Sequence, residues 1–326
     1  MNKLVRTGVV GVGAMGQHHA RIWAAMPGSR LMGVADPNLE RAREVAARHD
    51  VPVYADHHDL LKQVDAVSLA APTTLHYQIA LDCLAQGVHL LVEKPLAATL
   101  SEAQALVQAA QQAGVVLQVG HVERFNPTFA ELANVLSGRQ IVAIDAHRLS
   151  PFATRASDVS VVYDLMVHDL DLILTLIQAP LAGIKAVGSK VRSPQLDHAI
   201  ALLTFANGCV ASLSASKITQ HKIRQLSVTC VDAFIMADLL ARTVMLYRQS
   251  AADYYEHQSQ VLYRQEGVIE QVYVPPVEPL YAELQHFASC VREGREPRVG
   301  AKDALRVMEL AETIEAQVLA GLEPRL

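Results

Sequence analysis

Through residue 120 the apolar positions fall in short runs with little alternation: Leu4–Val10, Arg30–Ala35, Ala66–Ala71, Val88–Val92 and Val115–Val119. Between them, apolar residues recur at helical spacing over Gln17–Ala25, Asn38–His49, about Leu75–Gln86 and Ser101–Ala113. A strand with no polar face is one covered on both sides. Such strands alternating with helices predict a parallel sheet between two helix layers.

After about residue 125 the pattern changes. A helix is predicted over Pro127–Leu136, a strand over Gln140–Arg148, an exposed loop over Leu149–Val161 and a helix over Tyr163–Ile177. From Ile184 to Val274 most segments alternate apolar and polar residues, the mark of strands with one face on a core. Asn207-Gly208, between Ala199–Phe205 and Cys209–Ala215, is a two-residue hairpin signal. Pro275-Pro276 and Pro279 end this region, and two helices follow, about Leu280–Glu293 and Ala301–Ala320. The second half therefore reads as α+β with a large, open, mostly antiparallel sheet. The expected domains are 1–123 and 124–326, the last helix being free to pack back on the first.

Composition narrows the function classes. The 326 residues are 51% hydrophobic, with a net charge of −5, and no basic stretch offers a nucleic-acid footprint. Cys83, Cys209, Cys230 and Cys290 are far apart with no CxxC pair, as expected of reduced thiols in a cytoplasmic protein. The N-terminal apolar run is too short and glycine-rich for a membrane span or a signal peptide.

Gly11-Val12-Gly13-Ala14-Met15-Gly16 links the first strand to the first helix. A strand, a glycine turn and a helix start in that order form the dinucleotide fingerprint of a Rossmann fold. The glycines allow a tight turn, close backbone approach to a pyrophosphate and close helix packing. Asp36, twenty residues past Gly16 at the end of the second strand, is suited to accept hydrogen bonds from the adenosine ribose. A carboxylate there repels a 2′-phosphate, and Pro37 rather than Arg follows, which favours NAD over NADP. Asp36-Pro37-Asn38 also reads as a turn and helix cap.

Three further groups carry chemistry. Lys94, in Val92-Glu93-Lys94-Pro95, stands at the carboxyl end of a parallel strand, where ligands of open α/β sheets bind. It suits stabilisation of an alkoxide, and a cis bond before Pro95 is one way to aim it. Asp164 and His168 are four apart on a predicted helix, a proton acceptor with a carboxylate to orient it. Asp164 as a cap and the pair as metal ligands are the alternatives, and no third ligand at metal spacing accompanies them. Thr73 and Thr74, after Pro72 and before His76, suit either a nicotinamide-ribose contact or a helix cap. His121 and Arg124 end the next strand. His18, His19, His57 and His58 show no ligand pattern and are expected at the surface, and no metal site is expected.

The glycine turn, Ala71-Pro72-Thr73-Thr74-Leu75-His76, Glu93-Lys94-Pro95 and the Asp164–His168 spacing together resemble the glucose-fructose oxidoreductase / inositol dehydrogenase / MocA family along almost the whole chain. The resemblance implies an NAD-dependent dehydrogenase acting on a CH–OH group, with Lys94, Asp164 and His168 as its catalytic set. It implies cofactor contacts at Gly11, Gly13, Ala14, Met15, Gly16, Asp36, Pro72, Thr73, His76, Glu93 and Lys94. The open sheet of such proteins commonly mediates oligomerisation, here a homodimer or homotetramer. Val161-Val162-Tyr163 replaces the family's glycine-rich lead-in to the aspartate.

Gly120–Pro127, Arg148–Phe152 with Arg155, and Asp164–Asp171 look like the branch that oxidises the C3 hydroxyl of UDP-N-acetylglucosamine. That branch feeds an aminotransferase on the way to a 3-amino sugar for lipid A. The nucleotide-sugar contacts it implies are His121, Arg124, Asn126, Arg148, Arg155 and Tyr163. The three arginines suit the diphosphate, because a guanidinium grips phosphate oxygens in pairs. The alternatives are a family dehydrogenase for another nucleotide sugar, a free sugar or an inositol, and a non-catalytic NAD-binding regulator.

Overall fold

A computed structural model describes residues 4–152, 159–257 and 260–322, with side chains described outside 249–266. Its contacts divide the chain into two compact units. One is the chain through residue 125 with 278–309, and the other is 126–277 with the stretch from residue 310.

In the first unit, strands β1 (Val5–Val10), β2 (Ser29–Ala35), β3 (Val53–Tyr54), β4 (Ala66–Leu69), β5 (His89–Glu93) and β6 (Leu117–Gly120) form a parallel sheet, A. Their order is β3-β2-β1-β4-β5-β6. The order reverses between β1 and β4, which opens a crevice at their carboxyl ends. Successive strand residues feed separate cores. Val9 and Leu91 pack with Ile22, Trp23, Leu284 and Phe287 from helices α1 (Gly16–Ala25) and α8 (Pro279–Glu293). Val10, Leu90 and Val92 pack with Leu60, Ile79 and Leu106 from α3 (His57–Leu61), α4 (Thr73–Ala85) and α5 (Leu100–Ala113). The unbroken apolar runs thus have their physical cause in two covering layers. Trp23 also donates from its indole to Ser68 Oγ at 2.9 Å, which satisfies the one polar atom it buries.

In the second unit, β7 (Ile141–Leu149) and β8–β14 (Leu181–Ser189, His198–Phe205, Val210–Ser216, Ile223–Cys230, Phe234–Asp238, Thr243–His257 and Gln260–Val272) form sheet B. Its order is β14-β13-β12-β11-β7-β10-β9-β8. All pairs are antiparallel except β7–β10, so the sheet is mixed but mostly antiparallel. Ala206, Asn207 and Gly208, the last at φ +83°, turn β9 into β10 in three residues rather than the expected two, because Phe205 N–H donates to the Cys209 carbonyl and Gly208 N–H to that of Phe205. Helices α6 (Pro127–Leu136) and α7 (Val167–Leu176) contact sheet strands β12, β13, β7 and β10.

Three elements differ from expectation. β3 and α3 occupy a stretch where the pattern predicts nothing; a two-residue strand and a five-residue helix are too short to show a period. The predicted helix from Tyr163 instead opens with a π-turn over Val162–Met166, in which Val167 N–H reaches the Val162 carbonyl, before α7 begins. Helix α2 (Leu39–Ala47) starts at the Asn38 cap, and α9 (Ala301–Leu322) runs on from the first unit into the second.

Candidate functional site

The glycine turn sits at the reversal point of sheet A. Gly11 is at φ +82°, and a Cβ there would lie 2.6 Å from Ala71 N, so β1 and the end of β4 come together only with glycine at that position. A Cβ on Gly16 would stand 1.8 Å from the Gly11 carbonyl oxygen. Around Gly13, by contrast, no atom of the described residues other than its chain neighbours lies within 4 Å of where a Cβ would be.

Asp36 is buried at the end of β2. Oδ2 accepts the Val12 N–H and Oδ1 the Asn38 N–H, both at 2.9 Å, and Arg41 Nη2 lies 2.9 Å from each oxygen. Burial pushes the carboxyl up, but these donors outweigh it and hold Asp36 below its ordinary pKa. The turn-and-cap reading of Asp36-Pro37-Asn38 is realised as well, since Asn38 Oδ1 caps α2 on Arg41 N.

At the ends of β4 and β5, the His76 ring is held between the Ala71 and Pro95 carbonyl oxygens, each at 2.9 Å. Burial lowers its pKa in spite of those acceptors. Pro72 is the cap position of α4, which makes no side-chain cap bond, so Thr73 opens the helix and Thr74 is not its cap. The Lys94–Pro95 bond is cis. Next to Lys94, Glu93 Oε1 meets His19 Nε2 at 2.9 Å. Burial raises the Glu93 pKa, and the His19 bond with the adjacent Lys94 charge brings it below the ordinary value. His19 is therefore no surface residue: its side chain is 0% exposed. Its place three and four positions before Ile22 and Trp23 on the inner face of α1 is the signal that marks it as buried. Ala14, Met15 and His18 are exposed, as expected for His18. His121 and Arg124 are buried, and Arg124 Nη1 donates to the Arg298 carbonyl at 3.3 Å with Asp303 at 3.9 Å.

In the second unit, the π-turn carries Tyr163 and Asp164, and His168 follows in the first turn of α7. Asp164 caps neither element. Lys217, buried just after β10, places Nζ 3.2 Å from Asp164 Oδ2 and also donates to the Val159 carbonyl. The sequence pattern gives no hint of Lys217. Burial and the charges of Glu315 and Glu312 push the Tyr163 phenol up to about 12. Arg148 lies on strand β7, as expected, but it is buried and paired within the unit. It is 2% exposed, with Nε 3.0 Å from both Asp169 oxygens and Nη2 2.7 Å from Oδ1. Inward parity with Ile144 and Ala146 on β7 is the signal for this burial. Asn126 caps α6 through Thr128 N and donates to the Leu239 carbonyl at 3.4 Å. Arg155 lies outside the described residues.

Residues 5–121 match the family model described as oxidoreductase family, NAD-binding Rossmann fold, and residues 136–235 match the GFO/IDH/MocA C-terminal domain. A UDP-N-acetylglucosamine 3-dehydrogenase of Acidithiobacillus ferrooxidans is 39% identical over 247 residues, 76% of this chain and 78% of that one. This chain belongs to the Gfo/Idh/MocA family. A scyllo-inositol 2-dehydrogenase (NAD(+)) of Bacillus subtilis is 26% identical over 95% of this chain and 93% of its own. A solved structure of UDP-N-acetylglucosamine 3-dehydrogenase from A. ferrooxidans superposes with a TM-score of 0.90 at 34% identity, covering 98% of this chain and 99% of that one.

As a Gfo/Idh/MocA oxidoreductase the chain carries an NAD-binding Rossmann fold, and its turn fits the group. Open space at Gly13 leaves the backbone approachable, and the N-terminus of α1 lies beside it to receive phosphate charge. Asp36, just past the end of β2, is held below its ordinary pKa, the charge state that an acceptor of ribose hydroxyls needs. Among the described residues no helix is long and apolar enough to cross a membrane.

Proposed function

We propose that this dehydrogenase oxidises the C3 hydroxyl of UDP-N-acetylglucosamine to the 3-keto nucleotide sugar. The observation that carries the reading is 39% identity, over three quarters of both chains, to an enzyme named for that reaction. Bound NAD⁺ supplies the hydride acceptor, held by the Gly11–Gly16 backbone and Asp36, with Pro72, Thr73 and Glu93 toward its nicotinamide end.

His168 takes the hydroxyl proton on an imidazole nitrogen, and Lys94 donates a hydrogen bond to the oxygen as it becomes an alkoxide and then a ketone. Asp164 orients His168, and Lys217 Nζ, 3.2 Å from its Oδ2, holds that carboxylate in place. Diphosphate recognition falls to Arg155, because Arg124 and Arg148 are buried and engaged within their own units. A reaction that draws on NAD⁺ and a nucleotide sugar belongs in the cytoplasm. The ketone is a substrate for an aminotransferase, on the way to a 3-amino sugar.

Oxidation of a secondary alcohol by NAD⁺ is unfavourable, so the test couples purified protein, UDP-N-acetylglucosamine and NAD⁺ to an aminotransferase with glutamate. The expected result is NADH formation that requires the UDP-sugar. Turnover of inositols in its place would support the likeness to the scyllo-inositol enzyme and sink this substrate assignment. Lys94→Met abolishes turnover and leaves NAD⁺ binding intact; near-normal turnover would remove Lys94 from the mechanism.

A second copy of this chain is the partner we propose for sheet B. Its outward face carries Ile200, Leu202, Phe234 and Met236 at about two-fifths exposure.

A further inference from the structure

At the far edge of sheet A, the chain leaves β3 and enters α3 through Asp56-His57-His58. One ligand atom from each of these residues lies within 4.8 Å of the others. Asp56 Oδ1 stands 2.8 Å from His58 Nδ1 and 3.6 Å from His57 Nδ1. The two imidazoles lie side by side, ring centres 4.2 Å apart and planes tilted by 37°.

The opposite edges of both rings meet one further carboxylate. Asp82 Oδ2, on α4, is 3.0 Å from His57 Nε2 and 3.6 Å from His58 Nε2. Gln78 Nε2 in turn donates to Asp82 Oδ1 at 3.1 Å, one helical turn away. Each ring therefore has one nitrogen toward Asp56 and the other toward Asp82.

We propose that Asp56, His57 and His58 bind a divalent transition metal of the zinc, cobalt or nickel type, with Asp82 as the outer carboxylate that orients both imidazoles. Imidazole and carboxylate donors suit these ions, and a metal-bound histidine characteristically gives its other N–H to a carboxylate. Asp82 stands where that second partner is needed, on a different helix and held by its own hydrogen bond. Bonds of about 2.0–2.2 Å draw the three ligand atoms together, a movement of side chains that are exposed or only partly covered. Solvent completes the coordination on the exposed side.

The site has a structural consequence. A five-residue helix has no stability of its own, and the metal would fasten α3 to α4 through the Asp82 bonds. Neither Lys94 nor the glycine turn belongs to this cluster, so it stands apart from the dehydrogenase chemistry.

Tag-free full-length protein, stripped with chelator and titrated with Co²⁺ and then Zn²⁺, tests this. The expected result is one ion per chain, cobalt absorption bands of a nitrogen-and-oxygen site displaced by Zn²⁺, and a higher melting temperature with Zn²⁺. His57→Ala/His58→Ala abolishes the bands. Asp82→Asn weakens binding by about 10–100-fold while leaving the ligands in place. NAD⁺ binding, measured in parallel, certifies that each variant is folded. Absence of saturable binding, or binding that survives the double histidine variant, overturns the proposal.

Discussion

Sheets A and B bury strands in different ways. Along β4 every residue from Ala66 to Leu69 is buried, because helices cover both faces of sheet A. Along β9 burial alternates: Ala199, Ala201, Leu203 and Phe205 face the core, and Ile200 and Leu202 face out. The outward row is also graded across the strands. Register pairs Leu202 with Ser212, Ser212 with Asp145, Asp145 with Ser227 and Ser227 with Met236, so a polar centre lies between apolar flanks. In sheet A the chemistry-bearing residues stand just past strand ends, as Asp36 and Lys94 do; in sheet B the outward apolar flanks are the surface of interest.

One change of chemistry placed in each sheet breaks that comparison most sharply. Leu90→Asp, at 0% exposure in the middle of sheet A, buries a carboxylate without a partner and costs on the order of 5 kcal/mol, enough to unfold a typical domain. Leu202→Asp, at 43% exposure on sheet B, leaves the protomer within about 0.5 kcal/mol of wild type but lowers the sedimenting mass. A melting curve and a sedimentation run on each variant decide it. An unchanged mass for Leu202→Asp would mean that no copy covers this face.

The same contrast explains what could be read in advance. Sheet A strands announce themselves because two cores demand unbroken apolar runs, and the glycine turn because its backbone tolerates no Cβ at Gly11 or Gly16. β3 and α3 escaped because two and five residues hold no period. Burial of Arg148 was legible in its parity on β7, and burial of His19 in its spacing on α1, yet polar identity argued the other way in both. Their partners, Asp169 and Glu93, lie 21 and 74 residues off, and that pairing is tertiary information. The approach of Lys217 to Asp164 depends on how sheet B returns beside the π-turn, which no local pattern encodes.

Arg148→Met tests a large charge that sheet B turns inward. It strands Asp169 in the core, so a loss of about 3–5 kcal/mol is expected, and replacing Asp169 as well with Leu recovers much of it. If the single variant melts like wild type, the pair has no structural weight.

Acid separates the two units. His286 on α8 is held down to about 4 by burial and by Arg298 and Arg295, and its Nε2 accepts the Arg298 N–H at 2.9 Å. A depressed histidine contributes stability that is complete above its ordinary 6.5 and lost as pH falls toward 4, here about 1–2 kcal/mol after solvent screening. In the second unit, burial raises Asp197, but the N–H groups of Arg192, Val191 and Ser193 and the Ser193 hydroxyl win and hold it near 2. That contribution is lost only between about 4 and 2. Trp23, the single tryptophan, reports the first unit. Its fluorescence should change at higher pH than the strand signal in far-ultraviolet circular dichroism, and His286→Asn should narrow the gap. Coincident transitions would contradict the assignment.

The smallest effect concerns Asp36, the polar mark of sheet A. Its carboxylate has about four acceptor directions, and Val12, Asn38 and two contacts from Arg41 take them. Ribose hydroxyls can bond to Asp36 only where Arg41 yields, and Arg41, 48% exposed, is the partner free to swing away. An exposed ion pair is worth about 0.2–1 kcal/mol. Arg41→Ala should therefore leave NAD⁺ binding unchanged or tighten it by up to about fivefold, with the melting temperature barely altered. The same change should weaken NADP⁺, since it removes the cation that stands against Asp36. Asp36→Ala should weaken NAD⁺. If Arg41→Ala weakens NAD⁺ as Asp36→Ala does, Arg41 holds the cofactor itself, and the carboxylate is its anchor rather than the ribose acceptor.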